Sequence, residues 1–195
     1  MDTAGKQLFR CTSAGATDTL CVNGQTISPR SDDFGIIGNA NPDFTVGLRS
    51  HLNWGRFDAS MLVRADVGRD VFNNTALVYA TRSNALQDKN FLESALDDPT
   101  GIREPAIFSS RWIEDGSFAR LQNVTVGYTF NVSVFGGAQP RTARVYVSGD
   151  NLLLLTGYSG LDPEVHAESG LASRGIDYLA YPRARTFTAG ARFAF

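Results

Sequence analysis

The chain has 195 residues, 43 % of them hydrophobic and 19 % charged, with a formal net charge of −2. This balance excludes a disordered chain and gives no electrostatic pull toward nucleic acid. The longest aliphatic run is Leu152 to Leu155, far short of the ~20 residues of a membrane helix, so a helical membrane protein is excluded as well. Nineteen glycines and 11 % aromatic residues suit a β protein with many turns.

The first stretch, MDTAGKQLFRCTSAGATDTLC, lacks the apolar core of a signal peptide. That leaves a cytoplasmic protein, or a chain whose true beginning lies elsewhere. Cys11 and Cys21 are the only cysteines. Two reduced thiols are one reading, and a disulfide closing a surface loop is the other, favoured outside the cytoplasm. With no histidine nearby, the pair cannot fill a zinc site.

A hairpin follows. Phe44, Val46, Leu48, Leu52 and Trp54 share one parity, with Thr45, Arg49, His51 and Asn53 on the other. After Gly55 and Arg56 the pattern restarts. Phe57, Ala59, Met61, Val63, Ala65 and Val67 lie on one face, opposite Asp58, Ser60, Arg64 and Asp66, with Leu62 the one exception. Two strands of about ten residues joined by a tight turn are expected. Unpaired charges on the polar face do not suit a soluble core, and Trp54 and Phe57 at the turn resemble an interfacial aromatic girdle. Further strands are expected at 118–130, 143–154 and 183–195. In the first of these Val124, Val126, Tyr128 and Phe130 share a face; in the last Phe187, Ala189, Ala191, Phe193 and Phe195 do, opposite Thr186, Thr188, Gly190 and Arg192.

The connections alternate in length. Residues 55–56 and 131–142 are short, whereas 70–110 and 156–182 are long. A ~40-residue connection is foreign to a compact soluble domain, but membrane barrels pair short periplasmic turns with long extracellular loops. The expected fold class is therefore all-β: an antiparallel transmembrane β-barrel segment of about five to six strands from a larger barrel, with long extracellular loops. The strands should pair in order, and the polar residues Arg49, His51, Arg64, Asp66 and Arg192 should line the lumen.

Four blocks make the reading specific: IGNANPDFTVGL (37–48), SSRWIEDGSFARLQNVTVGYTF (109–130), RVYVSGDNLLLLTGYSGLDPEV (144–165) and YPRARTFTAGARFAF (181–195). In this order they resemble the C-terminal end of the SusC/RagA family, TonB-dependent outer-membrane transporters that import glycans or oligopeptides. The resemblance implies residues 36–195 as C-terminal barrel strands and residues 1–35 as an extracellular loop segment. Members of that family are several times longer, with an N-terminal plug and a TonB-contacting segment. The chain is thus expected to be a fragment in the bacterial outer membrane, with no transport of its own. Implied partners are the TonB energising complex through a missing N-terminal region, a SusD-like surface lipoprotein, the barrel-assembly machinery, membrane lipid, and a glycan or peptide substrate. No nucleic acid and no cofactor are implied. Phe187, Phe193 and Phe195 resemble the signal read by the assembly machinery, and Asp162, Pro163 and Glu164 belong to a loop that could meet the lipoprotein lid, with packing among loops the favoured alternative.

Enzymatic chemistry finds little support. GYSG (157–160) lacks the spacing of a nucleophile elbow, which leaves a hydrolase using Ser159 and His166 without its motif. Asp32-Asp33 and Asp97-Asp98 match no calcium loop and read as solvated loop charge. Trp112 to Phe118 (WIEDGSF) reads as the structural entry to a strand. The alternative to a transporter fragment is a freestanding β protein, either a small porin-like barrel or a soluble carbohydrate-binding sandwich.

Overall fold

The structure, a computed structural model, describes residues 6–11, 21–100, 102–132, 141–167 and 173–194. In chain order the strands are β1 (Phe9–Arg10), β2 (Gln25–Thr26), β3 (Phe44–Trp54), β4 (Phe57–Val67) and β5 (Asp70–Asn73). Helices α1 (Asn74–Tyr79) and α2 (Arg82–Leu86) follow, then β6 (Ile113–Asp115), β7 (Phe118–Val132), β8 (Arg141–Thr156), β9 (Ile176–Asp177) and β10 (Thr186–Ala194). They group into two compact units: one of Met1–Asn41, Asp70–Asp115 and Glu164–Ala180, the other of Pro42–Arg69, Gly116–Pro163 and Tyr181–Phe195.

The second unit is a five-stranded antiparallel sheet in the order β10-β8-β7-β4-β3. The strands pair as expected from the alternation, including β4 with β7 across the long connection. Gly55 supplies the left-handed backbone (φ 62°) that the two-residue turn between β3 and β4 requires. Trp54 pairs with Phe57 beside that turn, and Phe57 with Tyr128 in the next strand.

Register carries the two faces across all five strands. Val46 lies opposite Ala65, Ala59 opposite Val126, Val126 opposite Val147, and Val147 opposite Ala189. This face is apolar and open: Trp54 is 79 % exposed, Phe187 73 % and Phe193 59 %. Two irregularities interrupt the ladder. Gln122 is an extra residue in β7 between Leu121 and Asn123, and β8 carries Asn151 and Leu152 beside it. Asn151 takes a left-handed φ of 54°, a conformation that asparagine tolerates better than most side chains.

The last strand is shorter than its alternation suggests, beginning at Thr186 rather than 183. At the β8 irregularity the Asn151 amide donates to the Arg183 carbonyl (2.7 Å) and the Ala184 carbonyl (3.4 Å). Those carbonyls are satisfied by a side chain instead of a ladder. The extreme Phe195 lies outside the described residues.

The first unit departs from the all-antiparallel expectation. Residues 70–110, read from sequence as one long connection, hold β5, both helices and several tight turns. β5 pairs antiparallel with β6 and parallel with β9. Asn73 stabilises the start of α1, its side-chain carbonyl accepting from the Ala76 N–H (2.8 Å). Its amide donates to Glu114 (2.8 Å) and so ties the helix start to β6. Val71 and Ala95 are fully buried, with Trp112 and Val165 nearly so. The Trp112 indole N–H donates to the Ile107 carbonyl (3.2 Å), which fits the reading of WIEDGSF as structural.

Cys11 and Cys21 form a disulfide, their Cα atoms 6.2 Å apart. Beside it β1 and β2 pair, and Asn23 (φ 54°) and Gly24 (φ 77°) turn the chain. An Asn-Gly pair with both residues left-handed makes the tight hairpin turn. That dipeptide is a local turn signal within residues 1–35, which alternation alone reads as plain loop.

Candidate functional site

The polar face of the five-stranded sheet holds the candidate site. Arg49 lies opposite Leu62, His51 opposite Ser60, Thr45 opposite Asp66, Arg64 opposite Arg120 and Arg192 opposite Arg144. All five residues chosen from sequence therefore share one face. Their surroundings differ. Arg49, His51 and Arg192 are exposed, Arg64 is half-buried and Asp66 is buried.

Near the turn between β3 and β4 the face carries a cross-strand ion pair that sequence reading passed over. The Arg144 guanidinium donates to both carboxylate oxygens of Asp58, at 2.8 and 2.5 Å. Asp58 is on β4 and Arg144 on β8, so the pair reaches across β7. It passes over Gly127, where an added Cβ would meet both the Arg144 guanidinium and Asp58. The Arg144 guanidinium also sits 5.1 Å from the centre of the Tyr146 ring. Tyr146 in turn covers Gly190, whose missing side chain makes room for the ring. One row thus links β4, β8 and β10 through Asp58, Arg144 and Tyr146, with two glycines opening the path. The available signal was a pair of opposite charges and two glycines at positions of polar parity.

At the other end of the sheet the charges are buried. Two guanidinium groups, Arg64 and Arg120, each sit 5.4 Å from the Phe118 ring centre. Arg120 is 2 % exposed and donates to Asp162 (2.7 Å) and to the Asn151 side chain. Asp66 accepts from the Thr45 hydroxyl (2.8 Å) and lies 3.7 Å from Arg69. Interior charges of this kind persist only when paired and hydrogen-bonded. Arg120 escaped sequence reading because Gln122 inverts the alternation: Phe118 and Arg120 share the polar face with Asn123 and Thr125.

The loop residues Asp162, Pro163 and Glu164 differ in exposure. Asp162 and Pro163 are buried, and the Asp162 carboxylate accepts from Arg120. Within this chain Asp162 and Pro163 pack among other residues, the favoured reading of this loop. Glu164 is half-buried.

Asp98, expected as solvated charge, is buried in the first unit. Its carboxylate accepts from Arg111 (2.9 Å), from the Thr100 N–H (3.0 Å) and from the Thr100 hydroxyl (2.8 Å). Burial alone would push this carboxyl up. The hydrogen bond from Arg111, those from Thr100 and the Arg111 charge outweigh it and hold the group below its ordinary 3.8. Among the described residues no cluster of His, Cys, Asp and Glu could hold a metal ion, and no helix is long and apolar enough to cross a membrane.

No family model matches the chain. Its sequence is 36 % identical over 170 residues to the TonB-dependent receptor P3 of Formosa agariphila, covering 82 % of this chain and 17 % of that protein. It is 31 % identical over 163 residues to the TonB-dependent receptor SusC of Bacteroides thetaiotaomicron, covering 78 % of this chain and 15 % of that protein. The chain therefore spans less than a fifth of the length of these relatives. Its fold matches the RagAB peptide importer in the 'open-open' state with a TM-score of 0.74 at 25 % identity, covering 98 % of this chain and 21 % of that one. The 'closed-closed' state matches with the same TM-score at 24 % identity. Sequence likeness to TonB-dependent receptors, SusC among them, and the shared fold with RagAB place this chain in the SusC/RagA-type TonB-dependent receptors.

Proposed function

We propose that these residues build the C-terminal strands of an outer-membrane TonB-dependent transporter that imports glycans or oligopeptides. In this reading the sheet is one arc of a larger barrel. Its apolar face meets lipid, and the face bearing Arg49, His51, Arg64, Asp66 and Arg192 lines the wet lumen. The unit with the Cys11–Cys21 bridge is extracellular. Coupling to TonB belongs to polypeptide outside these residues, and a SusD-like lipoprotein covers the extracellular side. Phe187, Phe193 and Phe195 serve the barrel-assembly machinery. The arc performs no catalysis and no transport alone.

One observation carries this reading. Apolar side chains stand exposed on one face of all five strands, while the other face carries charges, among them the pairs Asp58–Arg144 and Arg120–Asp162. Water would not tolerate so broad an open apolar face, whereas lipid requires it.

The test places arginine on each face of β10 in the full-length transporter. Ala191→Arg, on the apolar face, should cost roughly 2–4 kcal/mol and deplete the protein from the outer membrane. Thr188→Arg, on the polar face, should leave abundance near that of the parent. Normal abundance of Ala191→Arg with loss of Thr188→Arg would show the two faces assigned backwards.

A further inference from the structure

The apolar face is not uniform. A shallow trough of about 510 Å³ crosses it, lined by Phe57, Val126, Tyr128, Val145, Val147 and Ala189. Gly127, Tyr146 and Gly190 line it as well, although their side-chain positions belong to the opposite face by register; Asp58 and Arg144, which stand on that opposite face, do not line it. Small side chains make the hollow, and larger rings close one end, where Phe57 meets Tyr128 at 4.7 Å between ring centres. The trough runs across β4, β7, β8 and β10, three inter-strand spacings or roughly 14 Å.

Two features say what fills it. Next to Phe57, in the turn, is the exposed Arg56, its carbonyl accepting from the Thr129 N–H (2.8 Å). A cation beside a pair of rings, with Trp54 exposed next to it, is the arrangement found where hydrocarbon gives way to headgroups. Barrel strands tilt 35–45° from the membrane normal, so a trough lying across them is itself inclined. A chain entering from the headgroup level at Arg56 can follow it into the hydrocarbon.

We propose that this trough holds one acyl chain of an anionic glycerophospholipid, with its phosphate at Arg56. The inference rests on the apolar face meeting lipid, and it goes further in naming a discrete lipid site. Charge complementarity at Arg56 selects the anionic headgroup. The flexible chain, unlike a protein partner, fills a trough this narrow without needing a matching surface.

The experiment uses the full-length transporter, washed free of bulk lipid in detergent, supplied with phosphatidylglycerol, and weighed by native mass spectrometry. The parent should retain one phosphatidylglycerol. Ala189→Phe and Val147→Phe fill the trough with carbon and should each lower retention at least tenfold. Val46→Phe, on the same face but outside the trough, should not change it. Arg56→Gln should abolish the preference for phosphatidylglycerol over phosphatidylethanolamine. Equal retention by Ala189→Phe, Val147→Phe and Val46→Phe would overturn the site, as would no retention by the parent, or lipopolysaccharide in place of phospholipid. The two arginine substitutions in β10 report on the lipid-facing assignment by abundance alone. A failed trough with intact face assignment is therefore distinguishable from a failed assignment.

Discussion

The two units of this chain arrange their apolar residues differently. In the unit containing β5, β6 and β9, Val71, Ala95, Trp112 and Val165 are buried, while Phe34, Ile36 and Leu86 stand exposed singly rather than as one strand face. In the sheet unit the apolar face carries exposed side chains on every strand while Asp66, Arg69, Arg120 and Asp162 are buried. Both units obey the same physics, since each apolar group seeks an apolar surrounding and each buried charge a partner. The difference teaches that burial by itself does not define a core; what a face is exposed to decides which residues belong on it.

The contrast breaks most severely at Arg120. Arg120→Ala should leave Asp162 as a buried carboxylate without its guanidinium, at a cost of about 3–5 kcal/mol. Denaturant unfolding of the full-length protein in detergent measures it; a loss below about 1 kcal/mol would show that the charged interior of the sheet is dispensable. In the other unit the Cys11–Cys21 bridge should contribute about 2–3 kcal/mol locally by the loop-entropy argument. Replacing both cysteines with serine should then increase hydrogen exchange around residues 22–26 while leaving the β7 and β8 amides unchanged. Equal protection with and without the bridge would refute that contribution.

A smaller effect should follow Gly127→Val, whose side chain enters the path between Asp58 and Arg144. Displacing the pair should cost about 1–2 kcal/mol, and a double-mutant cycle on Asp58 and Arg144 should show its coupling reduced in the Gly127→Val background. The smallest effect concerns Asp98. Because its folded carboxyl titrates below the ordinary 3.8, its contribution is present above that value and is lost as pH falls through the lowered one. Asp98→Asn should cost about 1 kcal/mol at neutral pH, Arg111 being partly solvated, and should converge with the parent only below pH 3.8. A difference that persists in strong acid would show that packing, not charge, holds this loop.

Much of the sheet was legible in the sequence because a strand's period of two is a local property. Phe44 to Trp54 matches β3 at both ends, and the shared polar face of Arg49, Arg64 and Arg192 follows from counting. What escaped was contact between distant residues. Asp58 and Arg144 are far apart in sequence, and only the register through Gly127 brings them together. The GLDPE turn was legible, but nothing in it announces Arg120 as the partner of Asp162. The small sheet of the first unit was hidden for a related reason: β5, β6 and β9 are two to four residues long, too short for any period to show.

The irregularities in β7 and β8 act on the alternation like shifts of phase. One extra residue, Gln122, moves β7 by half a period, so even-numbered residues face the polar side before it and odd-numbered ones after it. In β8 the two consecutive residues Asn151 and Leu152, which the register skips, amount to a whole period, and Leu153 and Leu155 keep the face of Val145 and Val147. An insertion of two residues in such a strand is silent to both faces, while an insertion of one survives only if the chain beyond it is written in the opposite frame. Phe118 and Arg120 are written in that opposite frame.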